Sequence, residues 1–246
     1  MKSNIHATSH NIGKGEVYRR YFKRLLDFFL SLYALIILSP IFLCLAILIK
    51  IKLGSPVIFK QKRPGKKDKN GNEKLFTLYK FRTMTNTRDR QGNLLSDEIR
   101  LTHFGQKLRD TSLDELPEFL NILKGEMSII GPRPQLVRDI VYMTPEQRRR
   151  HDIRPGLSGW AQINGRNAIE WEDKLKFDLE YLNKISLWFD LKIMLTTIRK
   201  VFKTENISYK GMATAEDYGD YLLRTGKISQ VQYDVGQSEA NKLIKL

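Results

Sequence analysis

The sequence predicts an α+β, mainly helical fold held at a membrane by one re-entrant helix. Three observations carry that prediction. The 22 residues of Phe28–Ile49 are apolar, carry no charge, and are broken near their centre by Ser39-Pro40. Two β-forming stretches follow, separated by a polar loop. Beyond residue 110, helix-capping signals and helical periodicity take over.

The apolar run comes first. As one helix it would reach roughly 33 Å, about the hydrocarbon thickness of a bilayer. It is too long and begins too late for a secretory signal, and it leads into Lys50 and Lys52 in place of a small-residue cleavage site. It therefore reads as retained. Both flanks are basic: Arg19, Arg20, Lys23 and Arg24 before, and Lys50 to Lys67 after, with no acid in that second stretch. A simple spanning helix would place one cluster outside, against the positive-inside tendency. Pro40 lacks a backbone donor and clashes with the preceding turn, so it bends or breaks a helix there. Each half is then roughly 15–17 Å long, about half the hydrocarbon core. A hairpin that enters and leaves by one face fits both observations; a kinked spanning helix is the competing reading. Asp27 is expected at the interface, paired with Arg24 or Lys23. Cys44, the one cysteine, lies within the run and reads as a small buried hydrophobe, and no intramolecular disulfide can form.

The next elements follow from local chemistry. Val57–Lys62 and Lys74–Phe81 are rich in β-formers, and the polar stretch Lys66–Asn72 between them contains Asn70-Gly71, the pattern of a hairpin with a long loop. Residues 85–100 are polar and irregular at first. Ser112-Leu113-Asp114-Glu115 fits a capping box opening a short helix through Leu123. Thr144-Pro145-Glu146-Gln147 is a second helix start, and Arg154–Asn167, with Gly156, Gly159 and Gly165, reads as a loop. Trp171–Phe202 returns to helical periodicity, with an apolar stripe of Trp188, Leu191, Leu195, Ile198 and Phe202. That stripe suits either a membrane surface or a protein core. From about Ala213 the tail is polar and carries no chemical motif.

Composition narrows the partners. The 42 Lys and Arg against 27 Asp and Glu leave a net charge of +15, which favours nucleic acid, anionic lipid or phosphorylated small molecules. No nucleic-acid motif appears, and the aromatics form no stacking platform on a basic strand, so no nucleic-acid partner is expected. His103 and His151 lack a second ligand at metal spacing.

Five segments are unusual together: Phe59-Lys-Gln-Lys-Arg63-Pro-Gly65, Lys80-Phe-Arg82-Thr-Met84, Thr111-Ser-Leu-Asp114-Glu115-Leu-Pro117, Gly131-Pro-Arg133-Pro134, and Arg154-Pro-Gly-Leu-Ser-Gly-Trp-Ala-Gln-Ile-Asn-Gly-Arg166-Asn167. In these segments and in the Ser39-Pro40 break, from about Tyr21 to about Gly211, the chain resembles the bacterial sugar transferase family of polyprenyl-phosphate phosphoglycosyl transferases. It is most similar to the small monotopic form; larger members add spanning helices upstream, and about 25 residues precede the apolar run here. Within that form it looks closest to transferases of diacetylbacillosamine 1-phosphate.

The resemblance implies a division of the chain. Residues 1–20 would be an N-terminal segment, 21–53 the re-entrant helix, 54–212 a catalytic domain on the cytoplasmic face of the bacterial inner membrane, and 213–246 a tail. It also implies a two-step transfer of a sugar 1-phosphate from a UDP-sugar to polyprenyl (undecaprenyl) phosphate, releasing UMP through a covalent aspartyl intermediate. Asp114 would be the nucleophile and Glu115 its partner, the two holding Mg²⁺. Physical chemistry agrees: a carboxylate and a diphosphate repel, so attack needs a divalent cation and fixed cations around it. Taken alone, the two acids read as a helix cap; the motif reverses that preference. Arg109 would contact phosphate, and Arg133, held extended between two prolines, suits a forked grip on phosphate. Lys62, Arg63, Lys80 and Arg82 are further candidates for phosphate, headgroups or support, and Arg154 and Arg166 for uridine diphosphate. Membrane lipid, a second copy of the chain and downstream glycosyltransferases are the other expected partners. The competing classes are a membrane-tethered binder of anionic lipid or nucleic acid, and a glycosyltransferase that releases UDP.

Overall fold

The computed structural model describes residues 17–165, 169–203 and 216–245. One π-helical turn, Tyr18–Phe22, leads into α1 (Lys23–Ile37). Leu38 interrupts the helix, and α2 (Ser39–Leu53) leaves at 62° to the segment before it. Pro40 stands in the first turn of α2, where its missing N–H costs nothing, and the Ser39 hydroxyl donates to the Ile36 carbonyl at 2.8 Å. No single described helix is long and apolar enough to cross a membrane, but the bent pair passes that test together. On α2 one stripe, Leu45, Ile49 and Leu53, packs against Phe81 and Leu108 of the body. Elsewhere on the pair Phe29, Tyr33, Leu43 and Ile51 are more than 60 % exposed.

The hairpin forms as expected, somewhat longer: β1 (Ile58–Lys67) pairs antiparallel with β2 (Glu73–Phe81). After a short helical turn, Asp97–Arg100, comes α3 (His103–Asp110). Gly105 crosses the end of β2 so closely that a Cβ there would lie 1.8 Å from the Thr83 carbonyl oxygen. The capping box at Ser112 does not form. Ser112 has φ 55° and makes no side-chain cap; Leu113–Glu115 is a single 3₁₀ turn, and α4 begins only at Glu118, running to Lys124. Pro117 lacks the N–H that would continue a ladder, so the chain turns tightly before the helix starts. At the second expected start the reciprocal cap does form: the Thr144 N–H donates to Gln147 Oε1 at 2.8 Å and the Gln147 N–H to Thr144 Oγ1 at 3.3 Å. It opens the 3₁₀ segment Gln147–Asp152.

The glycine-rich stretch from Arg154 is not a loop. It contains β4 (Gly156–Ser158) and a helix, Trp160–Gly165, and β4 pairs in parallel with β3 (Ser128–Ile130). The glycines let two backbones cross: a Cβ on Gly156 would meet the Gly131 nitrogen at 2.1 Å, and one on Gly159 the Gly131 carbonyl oxygen at 2.1 Å. Between β3 and β4 runs α5 (Val137–Ile140). Numbering Trp160–Gly165 as α6, the long C-terminal helical region divides into α7 (Trp171–Lys184) and α8 (Leu187–Lys203).

The apolar stripe of α8 faces outward. Trp188, Leu195 and Ile198 are 78, 53 and 47 % exposed, while Asp190 and Ile193 form the buried side; the Phe202 side chain lies outside the described residues. Asp190 gathers Lys23 at 2.5 Å, Tyr18 at 2.8 Å and Tyr181 at 2.6 Å, which ties the start of α1 to this helix. Asp27 is accordingly buried, not interfacial, and its carboxylate accepts the Ile129 N–H at 3.0 Å. Arg24 turns instead to the end of α4, donating to the Ile122 and Leu123 carbonyls at 2.6 and 2.8 Å. The tail is folded: α9 (Tyr218–Arg224) and α10 (Gln230–Lys245) pack on α5, with Tyr142 stacked on Tyr233 and donating to its carbonyl.

Candidate active site

The 3₁₀ turn at Leu113–Glu115 is short because Ser112 is left-handed and Pro117 follows, and this sets Asp114 and Glu115 side by side at a cavity of about 1310 Å³. That exceeds the roughly 300–1,000 Å³ of ordinary ligand pockets. The end of β2 supplies Lys80, whose ammonium lies 2.8 Å from Glu115 Oε1 and 3.2 Å from Glu118 Oε1. Arg133 Nη2 reaches the same Glu115 oxygen at 2.7 Å. Both cations meet Oε1; among the described residues, Glu115 Oε2 and the Asp114 carboxyl accept no side-chain hydrogen bond. Asp114 is 8 % exposed and lines the cavity.

The electrostatics follow from crowding charge in a corner of low dielectric. Burial pushes the Asp114 carboxyl up to about 6, Glu115 adding to the rise and Lys80, Arg133 and Arg109 opposing it. Burial also opposes ionisation of Glu115, but Arg133 and Lys80 outweigh it and hold this carboxyl well below the usual range. For Glu118 burial wins and its pKa is raised. The Lys80 ammonium is disfavoured by burial yet raised overall by Glu115 and Glu118. The corner thus keeps one fixed anion, Glu115, beside two fixed cations, and leaves Asp114 facing the cavity as a carboxyl raised to about 6, still ionised for the most part at pH 7.

Not every residue singled out from sequence arrives here. Arg109 lines the cavity and donates from Nε to Thr83 Oγ1 at 3.0 Å. Arg63 also lines it, donating to the Pro134 carbonyl at 3.2 Å and to Gln61 at 2.7 Å. Arg82 lies on the wall, but its guanidinium donates to the Ser55 carbonyl at 2.8 Å and the Leu53 carbonyl at 3.4 Å, closing the end of α2. Lys62 is exposed. Arg154 donates to the Gly125 carbonyl at 2.7 Å and is not among the cavity residues. Arg166 lies outside the described residues.

Sequence reasoning missed Glu118, Thr83 and the support beneath Arg133. Glu118 could have been suspected from three acids within Asp114–Glu118, but the expected continuous helix hid its separate role. The support is an ion pair: Arg150 and Asp178 are 1 and 3 % exposed at the side chain and 2.7 Å apart, and Arg150 Nη2 also donates to the Arg133 carbonyl at 2.6 Å. That bond and two flanking prolines position the Arg133 backbone. Nothing local in the sequence pairs residues 150 and 178.

A metal fits this corner only with help. Among the described residues no group of three or more potential ligands is assembled. Magnesium, however, takes one or two carboxylates and fills its octahedron with water and substrate oxygens, and Asp114 with Glu115 Oε2 offers that donor set.

Comparison with known proteins gives the family. Residues 18–204 match the family model described as bacterial sugar transferase. The uncharacterized sugar transferase EpsL of Bacillus subtilis (strain 168) is 49 % identical over 196 residues, covering 80 % of this chain and 95 % of that protein. The UDP-glucose:undecaprenyl-phosphate glucose-1-phosphate transferase of Escherichia coli (strain K12) is 39 % identical over 198 residues, 74 % of this chain and 40 % of that protein. The UDP-N-acetylgalactosamine-undecaprenyl-phosphate N-acetylgalactosaminephosphotransferase of Aeromonas hydrophila is 37 % identical over 189 residues, 74 % of this chain and 44 % of that protein. The chain thus spans nearly all of the first and less than half of the other two, and it belongs to the bacterial sugar transferase family.

Proposed function

We propose that the protein transfers a sugar 1-phosphate from a UDP-sugar to polyprenyl phosphate, the undecaprenyl form of which appears in the relatives' names, at the cytoplasmic face of the bacterial inner membrane. The observation that carries this reading is the open carboxyl of Asp114 beside the Glu115–Lys80–Arg133 cluster, in a cavity whose wall includes Leu30 of the bent apolar helix pair. In the first step an Asp114 oxygen attacks the β-phosphorus, the bond from that phosphorus to the bridging oxygen breaks, and UMP departs with that oxygen. In the second, an oxygen of polyprenyl phosphate attacks the same phosphorus, the aspartyl bond breaks, and a polyprenyl diphosphate sugar leaves. Lys80 and Arg133 offset the negative charge brought together in both steps. Glu115, kept ionised, orients those two cations. Mg²⁺ held by Asp114 and Glu115 would screen the diphosphate from the attacking carboxylate.

The bent pair supports a re-entrant seat. Its two arms are each 15 residues, about 22 Å at helical rise, and the arms carry exposed apolar side chains on the faces turned away from the body. The outward stripe of α8, Trp188, Leu195 and Ile198, suits the headgroup boundary beside it.

Purified protein given a UDP-sugar and undecaprenyl phosphate should release UMP. UDP in its place would mean glycosyl transfer, and no nucleotide from any donor would mean a binding protein. A donor panel of UDP-glucose, UDP-N-acetylgalactosamine and UDP-diacetylbacillosamine assigns the sugar. Asp114→Asn should abolish release without lowering Tm, and chelation should silence the wild type until Mg²⁺ is restored.

A further inference from the structure

Lys174 is a cavity cation that the transfer chemistry above does not use. It stands on α7 and lines the cavity that holds Asp114. Four other cations there have carboxylates at contact: Lys80 on Glu115 and Glu118, Arg100 on Asp97, Arg133 on Glu115, and Arg138 on Asp217. Lys174 has no carboxylate within ion-pair distance among the described residues, although it is only partly exposed. Its ammonium sits 5.2 Å from the centre of the Trp171 ring, an attraction that aims a cation without neutralising it.

The seat itself is rigid. Trp171 is 6 % exposed, its indole N–H donates to the Glu216 carbonyl at 3.1 Å, and its ring lies 4.9 Å from that of Tyr218. Tyr218 is held in turn by its N–H donating to Asp139 at 3.0 Å and by the core around Met143, Leu175 and Leu222. Glu216 and Tyr218 lie beyond residue 204, where the family match ends. Glu170, Asp139 and Glu216 favour the charge of Lys174 only from beyond ion-pair distance, while burial and Arg133 oppose it, so a half-buried ammonium that makes no ion pair is left incompletely compensated until an anion meets it. Both substrates of the proposed reaction are phosphate anions.

We propose that Lys174 binds a phosphate of one of those substrates, in a seat that the C-terminal segment builds around it. The inference rests on the transfer reading. Its test is steady-state kinetics of Lys174→Gln and Lys174→Arg in the full chain, with UDP-sugar and undecaprenyl phosphate varied separately and UMP release as the signal. Lys174→Gln should raise one KM about tenfold with kcat within about threefold of wild type, the pattern of lost uniform binding. Lys174→Arg should recover most of that loss, whereas a purely packing role would not respond to charge. A raised donor KM with weaker inhibition by UMP assigns the nucleotide phosphate, and a raised acceptor KM assigns the lipid phosphate. Unchanged KM values, or a fall in kcat alone that tracks a lower Tm, would overturn the assignment while leaving the transfer reading intact. No UMP release from the wild type would remove both.

Discussion

Replacing Asp178 with alanine leaves Arg150 charged and 1 % exposed at its side chain, with the Arg133 carbonyl and the His151 ring as its remaining neighbours. Removing one partner of a buried pair costs about 3–5 kcal/mol, because the surviving charge keeps its desolvation penalty and loses its compensation. For a chain of 150–250 residues each kcal/mol moves Tm by about 2–4 °C, so Asp178→Ala should lower Tm by about 6–20 °C. The assay is thermal unfolding of detergent-solubilised protein followed by circular dichroism. The double variant Arg150→Met/Asp178→Leu removes both charges and should recover most of the lost stability. It also removes the donor to the Arg133 carbonyl, so its UMP release should stay depressed after Tm has recovered. A single variant within about 2 °C of wild type, or a double variant no more stable than the single, would refute the claim that charge burial sets the cost.

The proposed first step needs Asp114 as carboxylate, and burial raises its pKa to about 6. Activity should therefore fall about tenfold per pH unit below that value and level off above it; Lys80→Met should move this limb to higher pH, and a wild-type limb in the ordinary carboxylate range would contradict the assignment. Arg133→Lys should lower kcat/KM by at least about tenfold, since a point charge cannot reproduce a guanidinium that meets Glu115 and phosphate at once; kinetics like those of wild type would make Arg133 a mere support. Single cysteines at positions 14 and 66 in a Cys44→Ser background should both resist a membrane-impermeant thiol reagent in intact cells and react after lysis. Labelling of position 14 alone before lysis would establish a spanning helix.

What the sequence determined by itself is what neighbouring residues decide. The break at Ser39-Pro40 is legible because the fault in a proline lies in its own ring and missing N–H, and the structure interrupts the helix one residue earlier, at Leu38. The hairpin is legible because Asn70-Gly71 supplies its turn and β-formers supply its arms; Gly71 does adopt φ 83°. The cap at Thr144 is legible because both of its partners lie within four residues. The same logic fails at Ser112, where the distant Lys80 and Arg133 hold Glu115 and the chain takes a left-handed residue and a 3₁₀ turn in place of the expected cap. Tertiary contact alone buries Asp27 under the Ile129 N–H, sends Arg24 to the end of α4, and turns the apolar stripe of α8 outward. It alone makes a strand and a helix of the glycine-rich stretch, because Gly131 and Gly156 matter for how closely two distant backbones approach. The candidate corner divides along the same line. Asp114, Glu115 and Arg133 were singled out from adjacent motif residues, but the charge that the two acids carry depends on Lys80, 34 residues before Asp114, and on how much water the fold excludes. Electrostatic energy depends on distance and dielectric in three dimensions, and neither is written along the chain.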